Sequence, residues 1–166
     1  MNKLLETITK VEASPEYATF REKDPSAFLA HVFLMIEELG TKGFQVGYYD
    51  PGRKLMTTFA LERSGISMMP DLEVFQRPGS EILPLDPVQV GFDDDHMLAK
   101  AAEAQKTLYP GNVIIKQIFI LQHLSIGQVF NISLITKAFK VINFKFDSAT
   151  GDLKKHHMDS LLSVTS

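Results

Sequence analysis

The stretch Gln128-Val129-Phe130-Asn131-Ile132-Ser133-Leu134-Ile135-Thr136 decides the fold. Phe130, Ile132 and Leu134 alternate with Asn131 and Ser133. Neighbouring side chains of a strand point to opposite faces, so this alternation describes a two-faced strand with one side on a core. Reading outward, Val113–Leu121 precedes it, and Ala138–Asp147 and Asp152–Met158 follow. All are rich in β-branched and aromatic residues, which suit a pleated surface. Ser125-Ile126-Gly127 and Ser148-Ala149-Thr150-Gly151 supply the turns between them. An antiparallel sheet is expected from residue 113 onward.

Ahead of that sheet the period changes. Asp93-Asp94-Asp95 suits a helix start, through capping and the dipole, and Pro110-Gly111 ends the helix. Its apolar arc holds Met97, Leu98, Ala101, Ala104, Leu108 and Tyr109, with the alanines allowing close approach to a sheet. Leu4, Leu5, Ile8 and Val11 place another amphipathic helix at residues 3–12, ended by Ser14-Pro15. A third helix is predicted from Asp24 to Leu39, with Asp24 as cap, Pro25 in its first turn and Gly40 as its stop. Phe28, Leu29, Val32, Phe33, Met35, Ile36 and Leu39 fill one broad arc of it, and His31 lies at the arc's boundary. Strands at Phe44–Asp50 and Lys54–Leu61 flank the turn Asp50-Pro51-Gly52. Residues 64–91, punctuated by Pro70, Pro78, Gly79, Pro84 and Pro87, read as a long connection with edge strands near Leu72–Gln76 and Glu81–Leu83. The tail, Leu161–Ser166, is expected to fray.

The fold class is therefore α+β: helices packed on antiparallel β-sheet. All 166 residues fit a single compact domain. Within it, residues 20–63 and 92–158 share a plan of helix then sheet, joined by the 64–91 connection. Tyr48-Tyr49-Asp50-Pro51-Gly52-Arg53-Lys54-Leu55 and Phe146-Asp147-Ser148-Ala149-Thr150-Gly151-Asp152-Leu153 each run aromatic, Asp, turn with Gly, hydrophobic.

Residues 93–158 resemble a PepSY-type module. The Ala-rich helix ending in Tyr109-Pro110-Gly111 is similar, as is the hairpin Asp-x-x-Thr-Gly-x-hydrophobic carried by Asp147, Thr150, Gly151 and Leu153. The resemblance implies two PepSY-like or cystatin-like halves. Members of that family are typically exported or membrane-attached, and some inhibit peptidases as propeptide segments.

Net charge is −3 with no basic run, so nucleic-acid binding is not expected. The absence of cysteine excludes disulfides, thiol catalysis and Cys-based zinc sites. The longest apolar stretch, Ala27–Ile36, falls well short of the ~20 residues a spanning helix needs, so no membrane insertion is expected. Glu6 interrupts the N-terminal apolar run before it can form a signal-peptide core, and a cytoplasmic location is expected, or an exported one if a leader was trimmed.

No G-x-G-x-x-G, P-loop, H-E-x-x-H or G-x-S-x-G motif occurs, so no enzyme, cofactor or metal is expected. Asp93-Asp94-Asp95-His96 reads as a helix cap rather than a cation site, because successive helical residues splay apart. His156-His157 would face opposite sides of a strand and could not share an ion. His123 reads as a loop histidine, Tyr48-Tyr49 as cross-strand packing or a contact surface, and Met68-Met69 as gap filling or an adaptable contact. The leading functional expectation is a non-enzymatic binding or regulatory module, acting on a protein partner or as a homodimer through a strand edge or concave sheet face. The alternative is a small-molecule binder or enzyme with a pocket between helix and curved sheet, lined by His31, Tyr48, Asn131 and Asn143. Convergence of those four on one cavity would favour the pocket.

Overall fold

Asn2 turns its side-chain oxygen onto the Leu4 and Leu5 amides and so starts α1 (Lys3–Glu12), whose Leu4, Ile8 and Val11 are buried along one stripe. The computed structural model describes residues 2–38, 40, 42–74 and 81–164. Ser14-Pro15 ends α1 and also starts a helix the sequence reading missed, α2 (Pro15–Lys23). The Ser14 hydroxyl accepts from the Tyr17 amide at 3.2 Å, and Pro15 takes the first helical position, where its missing N–H costs nothing.

Then come β1 (Phe28–Glu37), β2 (Lys42–Asp50), β3 (Leu55–Glu62), β4 (Gly65–Met68) and β5 (Leu72–Glu73). After a short 3-10 turn at Pro87–Gln89 follow α3 (Asp94–Leu108), β6 (Ile114–Leu124), β7 (Gly127–Thr136), β8 (Lys140–Asp147), β9 (Leu153–Ser160) and α4 (Leu161–Val164). Of the expected edge strand at 72–76 only Leu72–Glu73 pairs, as β5; Val74 lies outside it, and Phe75 and Gln76 lie outside the described residues, as do Leu39, Pro78, Gly79, Thr165 and Ser166. Near Glu81–Leu83 there is one isolated bridge, from Leu83 to His123.

The main correction concerns Phe28–Glu37. The helix predicted from Asp24 to Leu39 is a strand, and Asp24 instead closes the C-terminus of α2, its amide donating to the Phe20 carbonyl at 2.8 Å. β1 is a central strand, paired with β2 on one side and β6 on the other. Its half-buried face carries Phe33 and Met35, as apolar as Val32 and Leu34 on the buried one, so β1 reads as a continuous apolar run instead of an alternating one. Such a run also fills a wide arc on a helical wheel, and periodicity alone cannot separate the two.

All pairings are antiparallel, in one nine-stranded sheet of order β4-β3-β2-β1-β6-β7-β8-β9, with β5 also on β3. Each half of the chain is thus a helical segment followed by a four-strand meander, and the first strands of the two meanders, β1 and β6, pair at the centre. The helical part of the first half lies at residues 3–23, ahead of the expected boundary at 20. The two Asp–Gly hairpins are not in equivalent positions. The Asp50 hairpin joins the second and third strands of its half, and the Asp147 hairpin joins the third and fourth. The latter is turn chemistry throughout: Asp147 Oδ1 accepts from the Ala149 and Thr150 amides, both at 2.9 Å, and Gly151 sits at φ 77°.

The core lies between the helices and one face of this sheet. Val32, Leu34, Val46, Phe59, Phe119, Leu121, Phe130, Ile132, Ile142, Phe144 and Phe146 are buried there with Leu4, Ile8, Val11, Phe20, Met97 and Ala101 of the helices. None of the described helices is long and apolar enough to cross a membrane.

The strand assignment makes a direct prediction. Leu34 is fully buried on the helix-covered face, whereas its neighbour Met35 lies half-buried on the opposite face. Leu34→Ala is expected to cost about 2–5 kcal/mol in urea unfolding, and Met35→Ala clearly less.

Candidate binding site

The face of the sheet away from the helices, here the open face, carries the chemistry. A β-bulge prepares it. Leu29 pairs with Tyr48 and His31 with Gly47, so Ala30 is an extra residue in β1. Bulges re-aim side chains. Here Ala30 and His31, neighbours in sequence, line the same cavity. The His31 ring lies against the Gly47 backbone, where an added Cβ would come within 2.3 Å of it. Burial pushes the His31 imidazole down to about 4, so it is neutral at pH 7.

Beyond the bulge β1 no longer pairs with β6, and the connection fills the gap. Leu83 bridges to His123, the Leu85 amide donates to the Leu29 carbonyl at 2.9 Å, and the Pro84 carbonyl lies 2.9 Å from His123 Nδ1. Val74 and Ile82 pack on a small cluster of Ala30, Tyr49 and Met56, which seals this end of the open face. Between that strap and the β6–β7 turn lies a cavity of about 420 Å³. Its apolar lining comes from Ala30, Met56, Ile82, Leu83, Leu124 and Ile126. Its polar lining comes from Glu81, His31, Gln122, His123, Ser125, Lys145 and Lys155.

A hydrogen-bonded relay runs from the cavity across three strands. Lys145 Nζ donates to Asn143 Oδ1 at 2.5 Å, Asn143 Nδ2 to Asn131 Oδ1 at 2.7 Å, and Asn131 Nδ2 to Gln122 Oε1 at 2.9 Å. Asn143 Nδ2 also reaches the Ser133 hydroxyl at 3.0 Å. The direction of this relay is fixed at its start. An ammonium can only donate, so each amide must turn its oxygen toward Lys145 and its nitrogen away. The Gln122 carbonyl takes the last bond of the line, and its NH2 group has no partner among the described residues. Burial, and secondarily the Lys155 charge, make the Lys145 ammonium easier to deprotonate.

Of the four residues the sequence reading named, His31 lines the cavity, and Asn131 and Asn143 adjoin it through the relay. All three lie on the open face. Tyr48 does not join them. It is buried on the helix-covered face, its hydroxyl donating to Glu12 Oε2 at 3.2 Å among Tyr17, Phe20 and Phe59. The cavity is therefore not between helix and sheet, where the alternative reading placed it. Tyr49 is buried too, so the tyrosine pair is packing and offers no contact surface.

The other candidates resolve into local roles. Asp93 caps α3 by accepting from the His96 amide, and no group of metal-ligating residues is found among the described residues. His156 and His157 point apart: His156 Nδ1 lies 2.7 Å from the Tyr109 hydroxyl, and His157 Nε2 lies 3.2 Å from Asp159. Met68 and Met69 are exposed.

Sequence reasoning missed Gln122, Lys145 and Lys155. Their strand parity was the available signal, since each shares a face with Asn131 once the register is known. It missed, too, a carboxylate pair away from the cavity. Arg53 Nε donates to Asp50 Oδ2 at 3.1 Å and its Nη2 to Asp24 Oδ2 at 3.3 Å, which ties the end of α2 to the β2–β3 hairpin. Burial and the neighbouring Asp50 raise the Asp24 carboxyl. Burial acts to raise Asp50 as well, but hydrogen bonds from the Arg53 and Gly52 amides, from Asp24 and from the guanidinium outweigh it and hold that carboxyl below the usual range. This is a structural clamp.

Fold and site define an α+β protein whose helices cover one face of a long antiparallel sheet and leave a cavity on the other. The chain is similar in structure to a candidate lipoprotein from Clostridium difficile 630, with a TM-score of 0.53 and 13% identity, over 87% of this chain and 90% of that one. At that identity the likeness is one of fold. No family model and no curated protein matches the chain.

Two measurements check this geometry. Gly47→Ala forces the His31 ring out of place and is expected to cost about 1–3 kcal/mol. Combined with His31→Ala its penalty should nearly vanish, which a double-mutant cycle reads directly. His31 also sets a pH dependence. Its folded value lies below the ordinary 6.5, so the unfolded chain binds the proton first. Stability is expected to fall as pH drops from about 6.5 to about 4, by at most on the order of 3 kcal/mol, and His31→Gln should flatten that slope in urea titrations.

Proposed function

We propose that the protein is a non-enzymatic binding module that takes up a ligand on the open face of its sheet, in the cavity beneath the 81–85 strap. The observation that carries this reading is the relay. A line of hydrogen-bonded amides, begun by a partly buried lysine, ends on a cavity wall and leaves a donor there. Apolar walls with a few convergent polar groups are the usual composition of a ligand pocket. Each half of the chain, a helix on a four-strand meander, serves as a PepSY-like or cystatin-like unit in this reading, and the cavity forms where the central strands of the two units part.

Face-on binding is favoured over strand addition by the character of the edges. β9 exposes all of its residues, among them Lys154, Lys155, His156, His157 and Asp159. Charged edge strands discourage pairing with another chain. β4 offers only the short edge Gly65–Met68.

Native mass spectrometry of protein purified gently from its own host tests this. An added mass that leaves on denaturation is expected for the wild type. Ile126→Trp, at an exposed position on the cavity rim, is expected to lose that mass while keeping its melting temperature. A bare wild-type chain, or an added mass that Ile126→Trp keeps, overturns the proposal.

A further inference from the structure

Resting on that reading, we infer that the cavity takes a small amphipathic anion, with a carboxylate-type head held by Lys145, Lys155 and the Gln122 amide and an apolar body lying against Met56, Ile82 and Leu124. The first support is a like-charge pair. Lys145 and Lys155 face each other directly in the β8–β9 ladder, and both line the cavity. Like charges directly opposite on a sheet face destabilise it. Among the described residues neither ammonium has an ion pair, whereas their neighbour Lys154 has Asp147. A bound anion would turn this repulsion into two attractions.

The second support is the polarity of the relay. The two ammoniums and the Gln122 NH2 group, which can only donate, line the cavity together, and each seeks an acceptor. His31 is neutral and adds no charge. Glu81 is the one carboxylate on the wall, so the lining keeps one formal positive charge on a chain whose net charge is −3. This is a local reversal of the protein's overall sign, and it sits against apolar walls that would hold a hydrocarbon body. Glu81, on the strap, disfavours a second negative charge on the ligand. A singly charged head group therefore fits better than a phosphate.

Isothermal titration with three probes of equal chain length tests the head group: octanoate, octanol and octylamine. Octanoate is expected to bind, and to shift the amide resonances of His31, Gln122 and Ile126. Lys145→Met and Lys155→Met are expected to weaken it about tenfold to a hundredfold, as for lost hydrogen bonds to a charged group. Lys155→Met should hold or gain melting temperature as the repulsion goes, whereas Lys145→Met also takes the donor from the buried Asn143 and is expected to lose some, so the Lys155 variant reads binding apart from folding. Equal affinity for octanol, preference for octylamine, or octanoate binding untouched by both lysine variants would overturn the anion assignment while leaving the binding module standing. No binding of any probe would overturn it too, and the added native mass then decides the broader reading alone.

Discussion

The antiparallel pairing of β1 with β6 is the contact on which the rest of the molecule depends. Val32 pairs with Leu121 and Leu34 with Phe119, and all four side chains are fully buried under the helices. A four-strand meander with one helical layer would expose the open edge of its first strand, a row of unpaired N–H and C=O groups. Joining two such edges satisfies both rows and makes one continuous core from α1 to α3. The arrangement has a geometric consequence. Two helical segments can cover only one face of a nine-stranded sheet, so the other face must meet solvent, a strap or a ligand.

The sequence made β7 and β8 legible because each has a face carrying polar residues. Asn131 and Ser133 break the apolar run of β7 at alternate positions, and alternation is the signal a reader can count. In β1 that signal is missing. Phe33 and Met35 face the open side of the sheet but are as apolar as Val32 and Leu34 beneath the helices. The flanking signals compounded the error. Asp24-Pro25 has the form of a helix start, yet Asp24 closes a helix that Ser14-Pro15 had already opened. Local capping chemistry is the same whichever helix it serves, and only the tertiary partner of residues 28–37 decides between them.

The site was partly legible for a related reason. Alternation along β7 sets Asn131 apart from Phe130 and Ile132, and the structure places Asn131 and Asn143 together on the face away from the helices. Parity cannot say which residues of different strands meet, because that depends on register. Lys145 sits beside Asn131 through the β7–β8 ladder, and Gln122 reaches it across β6–β7. Neither contact has a signature in one strand alone. Tyr48 failed differently. Its polar tip suggested a wet site, but a tyrosine hydroxyl can be satisfied inside a core, and here the carboxylate of Glu12 does so.

The bulge at Ala30 connects these observations. By adding one residue to β1, it brings Leu29 onto the helix-covered face and turns Ala30 and His31 together toward the open one. It also ends the pairing of β1 with β6 at His31, so the last residues of β6 need another partner. The strap supplies it at Leu83, and in reaching across the gap it roofs the cavity. Gly47 is required by the same event, because only a residue without Cβ leaves room for the displaced imidazole. One inserted residue thus parts the central strands, places a neutral histidine and recruits a lid from the connection. The cavity follows from how the two halves are joined, and neither half would possess it alone.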